Sequence, residues 1–367
     1  MGSTMKIKEF LKKIPLSVYI ILGIALACAV IHIIAVICEP FADFFNRTVA
    51  AFFRFFLAKL SGWLPISFAE IIIITLPITV GVLLFFFVRA VKRKKGLRYA
   101  AVFFSSLTLI YSSFVLTFAV AYRGTPLDKE LELERTEVTV SELKLTAEKV
   151  VSELNALADK LEYGEDYFSV MPYTFSELNA KLNSAYSKGS EKYPFIQSLK
   201  SNVKPVMLSE PMTYTHISGV YTFFTGEANV NVNYPEYNHP YTTAHEMAHQ
   251  RGIAREDEAN FVAYLICLES DDVYIRYSAY LNMFEYLSGA LARADKEVQY
   301  EIWEMLDIRV VNELYAYSDF FDKYRDNVAA DISGAVNDGY LVSQGQTSGT
   351  KSYGLVVDLA VAYYREG

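Results

Sequence analysis

Apolar residues fill the first third of the chain in three long runs. Ile14–Cys38 and Tyr99–Tyr122 contain no Asp, Glu, Lys or Arg, and Ile71–Val88 reads IIIITLPITVGVLLFFFV before Arg89. A helix needs about 20 apolar residues to cross a bilayer core, so each run predicts a transmembrane helix. Pro15 stands at the end of the first run and Pro77 inside the second, and membrane helices tolerate both. The first run is too long, and too closely followed by a second, for a cleavable signal peptide. Between them, residues 41–66 interleave Phe with Arg47, Arg54 and Lys59 at near-helical intervals. That texture predicts an amphipathic helix that either lies in the outer membrane interface or packs against the outer domain.

Past residue 122 the periodicity changes. TVSELKLTAEKVVSELNALADKLEYG and YTFSELNAKLNSAYSKG repeat apolar residues at threes and fours, and each opens on a capping box, Thr139 with Glu142 and Thr174 with Glu177. The following VKPVMLSEPMTYTHISGVYTFFTGEANVNVNY is β-branched and aromatic, broken by Pro and Gly, and predicts two or three strands. Helices are then expected over 243–251, 255–269, 273–293, 296–306 and 309–325. A loop is expected over 337–352, and a closing helix over YGLVVDLAVAYYRE. The fold class expected is an α-helical membrane region of three transmembrane helices (1–122) plus an α+β domain (123–367), mostly helical with a small sheet.

Charge divides the chain at the same place. Residues 1–122 carry thirteen Lys and Arg against four acids, whereas the remainder is strongly acidic, giving a formal net charge of −8 overall. An acidic domain is a poor ligand for nucleic acid, so no nucleic-acid partner is expected. Basic residues mark the cytoplasmic side of a span. Lys6, Lys8, Lys12 and Lys13 precede the first run, and RAVKRKKGLR (89–98) joins the second to the third. The expected partner is therefore the lipid bilayer, through three spans, in a multi-pass cell-membrane protein. Its N-terminus faces the cytoplasm and 123–367 lies outside it. Cys28, Cys38 and Cys267 offer no disulfide framework to that domain. His32, inside the first run, is expected as a packed or hydrogen-bonded residue.

The candidate chemistry lies in TTAHEMAHQRGIAREDEANF, residues 242–261. On a helix His245 and His249 share a face. Two imidazoles can then meet one ion, with Glu246 placed to take a proton from a water; this is the mechanics of HExxH. Thr242 and Thr243 are expected to cap the helix, and Gly252 to stop it. The strand GEANVNVNY (226–234) is expected at a sheet edge, with Asn229 and Asn231 meeting an extended substrate. His239 is a candidate oxyanion helper or a solvent-facing loop residue. The polar and aromatic side chains of DDVYIRYSAYLNMFEYL (271–287) are candidates for a cleft wall, or for core.

The E-x-x-A-N spacing from Glu256 to Asn260 resembles the gluzincin arrangement. By that resemblance Zn²⁺ is the expected cofactor, Glu256 is the third ligand, and Asn260 orients a ligand histidine from behind. Glu258 is the alternative third ligand, because only seven residues separate His249 from Glu256. Gly252 also fits the metzincin spacing, but Arg255 stands where that group has its third histidine. The wider run, with RYSAYL and SYGLVVDL downstream, resembles an uncharacterised bacterial family of membrane-anchored proteins with a gluzincin-like outer domain. That resemblance implies a zincin-like fold and no particular substrate. The expectation is a zinc-dependent peptidase acting on peptides or proteins at the cell surface. The alternative is a non-catalytic, zinc-stabilised binding or sensor module. A transporter is disfavoured, because no paired broken helices appear.

Overall fold

The computed structural model describes residues 14–346 and 355–366. The four N-terminal lysines and residues 347–352 of the expected loop lie outside these. The protein is mostly helical with one small sheet. In the first third, α1 (Leu16–Ile37) is followed by α2 (Glu39–Phe45), a π-helical turn at Asn46–Ala50, and α3 (Ala51–Ser61). Two longer helices come next, α4 (Phe68–Lys92) and α5 (Gly96–Thr117). Helices α1, α4 and α5 are long and apolar enough to cross a membrane. Helix α1 packs along α5, where His32 Nδ1 lies 3.2 Å from the Tyr111 hydroxyl.

The third helix ends five residues earlier than the apolar run. Ala119–Arg123 forms a 3₁₀ turn, and Phe118, Val120 and Tyr122 are buried. The last residues of the run are thus apolar because they enter a protein core. Of the two expected roles, Arg54 takes the packing one. It is 1% exposed, while Phe52, Phe55 and Phe56 on the same helix are exposed. Its guanidinium donates to Asn46 Oδ1 (2.7 Å), the Asn46 carbonyl (2.8 Å), the Thr117 carbonyl (3.0 Å) and Gln197 Oε1 (3.2 Å). It therefore fastens α3 to the end of α5 and to the following domain.

After a short turn, α6 (Leu127–Glu130), come α7 (Val140–Ala158) and α8 (Phe175–Lys192), and both capping boxes form as expected. Next are β1 (Lys204–Pro205), the short α9 (Ser209–Thr213), β2 (Gly219–Thr222) and β3 (Glu227–Val230). The sheet order is β1-β3-β2, with β1 parallel and β2 antiparallel to β3. The expected edge strand is therefore the middle strand. Asn229 and Asn231 are each 1% exposed. Asn229 Nδ2 reaches the Val220 carbonyl at 3.3 Å, and Asn231 Nδ2 donates to Thr213 Oγ1 and the Ile217 carbonyl. Both asparagines hold the sheet and its approach, and neither is available to a substrate. The alternation that suggested an exposed edge comes from buried amides whose Nδ2 groups find acceptors inside the protein.

Then follow α10 (Asn238–Gln250), α11 (Glu256–Leu268), α12 (Val273–Ala294), α13 (Lys296–Glu304), α14 (Ile308–Asp322), α15 (Val328–Ser343) and α16 (Val356–Glu366). One hydrophobic core joins α7, α8, α10, α11, α12 and α16. Helix α15 covers part of the stretch expected as a loop. Gly334 and Gly339 weaken its helix signal, yet Asn327 caps its start and Leu341 is fully buried.

Candidate metal centre

Helix α10 starts at Asn238, earlier than the sequence suggested, with Pro240 in its first turn where a proline costs no hydrogen bond. Thr242 and Thr243 consequently lie inside the helix and cap nothing. His239 is buried in that first turn, its Nε2 2.9 Å from the Tyr234 carbonyl and its ring beside Phe175. It is neither a solvent-facing loop residue nor directed at the candidate site.

The helix stops as Gly252 requires. Gly252 has φ +87°, its N–H donates to the His249 carbonyl, and the Ile253 N–H donates to the Ala248 carbonyl. This is a Schellman turn, in which the left-handed residue lets the chain reverse. A Cβ on Gly252 would also come within 2.5 Å of the Arg54 guanidinium. The reversal brings the Ile253 carbonyl to 2.7 Å from His249 Nδ1. Since a carbonyl only accepts, Nδ1 carries the proton, and Nε2 of the neutral ring is left as a lone pair.

Helix α11 begins at Glu256. Its Oε2 stands 3.3 Å from His245 Nε2 and 3.5 Å from His249 Nε2. The two imidazole rings are 4.5 Å apart and nearly perpendicular. One atom from each of His245, His249 and Glu256 lies within 4.8 Å of the others, a set that could hold a metal ion. Glu258, the alternative, points elsewhere. Its Oε1 accepts from Arg255 (2.7 Å) and from the Leu127 N–H (2.9 Å). Arg255 donates onward to the Tyr122 and Gly124 carbonyls, tying the linker to α11. Asn260 adjoins His245 without closing a full hydrogen bond, since His245 Nδ1 and Asn260 Nδ2 are both buried and unpaired.

These groups perturb one another. Burial drives His245 down, and the neighbouring His249 adds to that. Burial opposes the charged form of His249 as well, but the adjacent Glu256 carboxylate prevails and lifts it to about 9. Glu256 is held well below the usual carboxylate range, because His249 and His245 outweigh the cost of its burial. Burial raises Glu246 to about 8, with His249 opposing and Glu256 reinforcing.

Glu246, 4% exposed, packs on the edge strand β2. A Cβ added at Gly219 would meet Glu246 Oε1 at 2.5 Å and Cγ at 2.7 Å. Two cavities meet here. One, of about 640 Å³, is lined by His245 and Glu246 together with Tyr234, Glu285, Tyr286 and Tyr317. The other, of about 490 Å³, joins His249 and Glu256 to Phe118, Tyr122, Val336 and Tyr340. The Phe118 ring lies 5.8 Å from that of His249, edge to face, one residue past the end of α5. Tyr340 on α15 meets Tyr122, hydroxyl to hydroxyl, at 3.1 Å. The family described as a protein of unknown function (DUF3810) matches residues 45–361. The chain belongs to the DUF3810 family. No curated protein and no solved structure matches it. The DUF3810 region includes Arg54, two of the three apolar helices and every residue of the cluster. Its description assigns no chemistry, so any functional reading rests on the geometry.

Sequence reasoning missed Gly219, Phe118, Tyr122 and the face of α15 that carries Ser333 and Asn337. None of them has a local motif. The stretch 271–287 contributes Asn282, Glu285 and Tyr286 to the cleft, while Tyr274 and Tyr277 are core.

Proposed function

We propose that this DUF3810 protein is a membrane-anchored, zinc-dependent peptidase that hydrolyses extracytoplasmic peptides or proteins. The convergence of His245 Nε2 and His249 Nε2 on Glu256 Oε2 carries this reading. A neutral His249 directs a lone pair at a carboxylate lone pair, an arrangement that is repulsive until a proton or a cation sits between them. Tetrahedral ligands at zinc's usual bond lengths stand about 3.3 Å apart, close to the separations of 3.3 and 3.5 Å here. Two imidazoles and one carboxylate also match the preference of zinc among divalent ions.

His245, His249 and Glu256 would hold the ion, and Asn260 would support the His245 ring from behind. Bound zinc would acidify a water and polarise the scissile carbonyl. Glu246 takes the proton of the attacking water and returns it to the leaving amine. The outer edge of β2, which no strand pairs among the described residues, is placed to align an extended substrate beside Glu246. The distribution of basic residues supports an extracytoplasmic location for this domain.

Metal content tests the reading. Full-length protein purified in lipid nanodiscs is expected to carry about one zinc per chain, and His249→Ala is expected to lose it. Zinc in neither, after supplementation, would remove the centre. Zinc without hydrolysis of any peptide in a broad library would favour the non-catalytic binding module. Gly219→Ala should retain zinc and lower kcat/KM by roughly 10²-fold, because displacing a catalytic group by about 1 Å costs that much. Unchanged kcat/KM in that variant would separate β2 from the reaction.

A further inference from the structure

We propose that the larger cavity, beside His245 and Glu246, binds a cationic group of the substrate, an ammonium or a guanidinium, anchored by Glu285. The proposal deepens the peptidase reading and rests on it for the substrate's identity, though the site itself stands on its own geometry.

Several other acids of this domain have partners. Glu313 accepts from the Ser169 N–H (2.8 Å) and hydroxyl (2.7 Å) and from Tyr277. Glu227 is paired with Lys204, and Glu258 with Arg255. Glu236 accepts from the Met171 N–H at 2.8 Å. Glu285, on α12, lines the cavity, and the charge acting on it is that of Glu313, another carboxylate. No Lys or Arg is among the described residues lining this space. Burial and then Glu313 push Glu285 up to about 7, the response of a carboxylate without a counter-charge.

The walls suit a cation. Tyr234, Tyr286 and Tyr317 line the cavity together with Glu285, and Asn238 and Asn282 add carboxamide groups. A ring face attracts an ammonium or guanidinium within about 6 Å of its centre, and a partly desolvated carboxylate strengthens that attraction. An acidic side chain seated against Glu285 would meet like charge. The cavity includes His245 and Glu246 in its lining, so a group bound at Glu285 fixes where the remainder of the chain crosses the metal centre. The cation has two sources, a free α-amino terminus or a Lys or Arg side chain.

The test uses full-length protein in nanodiscs and a degenerate octapeptide mixture containing Lys and Arg. The mixture is prepared with a free or acetylated N-terminus, each with Lys and Arg retained or replaced by norleucine and citrulline. Retention is measured on the Glu246→Gln variant, so that binding is read without turnover. Removing one kind of cation is expected to weaken retention about tenfold or more. Adding Glu285→Gln should make all four forms equal, with no loss of melting temperature, since an unpaired carboxylate is being removed. Sensitivity to acetylation identifies the α-amine, and sensitivity to citrulline and norleucine the side chains. Equal retention of the four forms with Glu285 intact, retention of none, or a charge preference that survives Glu285→Gln would each overturn the proposal. Zinc content and hydrolysis by the unsubstituted protein decide the peptidase reading separately. Charge-selective binding without hydrolysis would leave the cation site standing and remove the enzyme.

Discussion

Glu246→Gln is expected to lower kcat/KM by roughly 10²- to 10⁴-fold, the usual contribution of a positioned general base, while zinc content stays at that of the unsubstituted protein. The amide keeps the volume and the contact with Gly219 that hold this side chain against β2. It removes only the basic oxygen. The three converging ligand atoms belong to His245, His249 and Glu256, so the ion's seat is untouched. The measurement pairs elemental analysis with a fluorogenic peptide assay on the same preparation. Undiminished turnover would take Glu246 out of the mechanism. Loss of zinc along with activity would make it part of the seat.

Lys204→Met is expected to destabilise the protein by about 3–5 kcal/mol, the cost of breaking a buried ion pair from one side. Lys204 and Glu227 are 1% and 0% exposed at the side chain. The ammonium pairs with Glu227 and donates to the Ser61 (2.8 Å) and Ile66 (2.9 Å) carbonyls. The Glu227 carboxylate in turn accepts the Phe68 and Ala69 N–H groups, each at 3.0 Å. The pair thus clamps the first turn of α4 to β1 and β3, at a helix N-terminus where negative charge is favoured. Losing the cation leaves a buried carboxylate without its counter-charge and the Ile66 and Ser61 carbonyls without the ammonium donor. Lys204→Met combined with Glu227→Gln should recover part of the loss, because no unpaired charge remains. Thermal melts in nanodiscs read both variants. A single variant that melts with the unsubstituted protein, or a double variant less stable than the single one, would count against the clamp.

Both clamps, Arg54 and Lys204, bind the segment between α1 and α4 to the domain that carries the cluster of His245, His249 and Glu256. With Phe118 against His249, they make the apolar helices part of the site's support as well as its anchor. A fragment starting at residue 123 would lose Arg54 beneath Gly252 and Phe118 beside His249.

The sequence alone determined what depends on near neighbours or on bulk transfer. Run length and freedom from charge marked the three apolar helices. Thr139 with Glu142, and Thr174 with Glu177, fixed two helix starts, since a capping box needs only four consecutive residues. The i, i+4 spacing put His245 and His249 on one face, and Gly252 stopped their helix because a positive φ suits a residue without Cβ. Tertiary structure decided the rest. Glu256 and Glu258 lie about 200° apart around α11, and only the helix's docking chose which meets the histidines. Asn229 and Asn231 alternate with valines as an edge strand would, yet β1 and β2 flank them, and strand order is a long-range property. Arg54 looks interfacial until carbonyls from Asn46 and Thr117 meet inside the fold to receive it. The end of the third apolar run belongs to a protein core, which hydropathy cannot distinguish from lipid. Glu285 stands out only once α12, α14 and α15 enclose a space with no Lys or Arg among the described residues that line it.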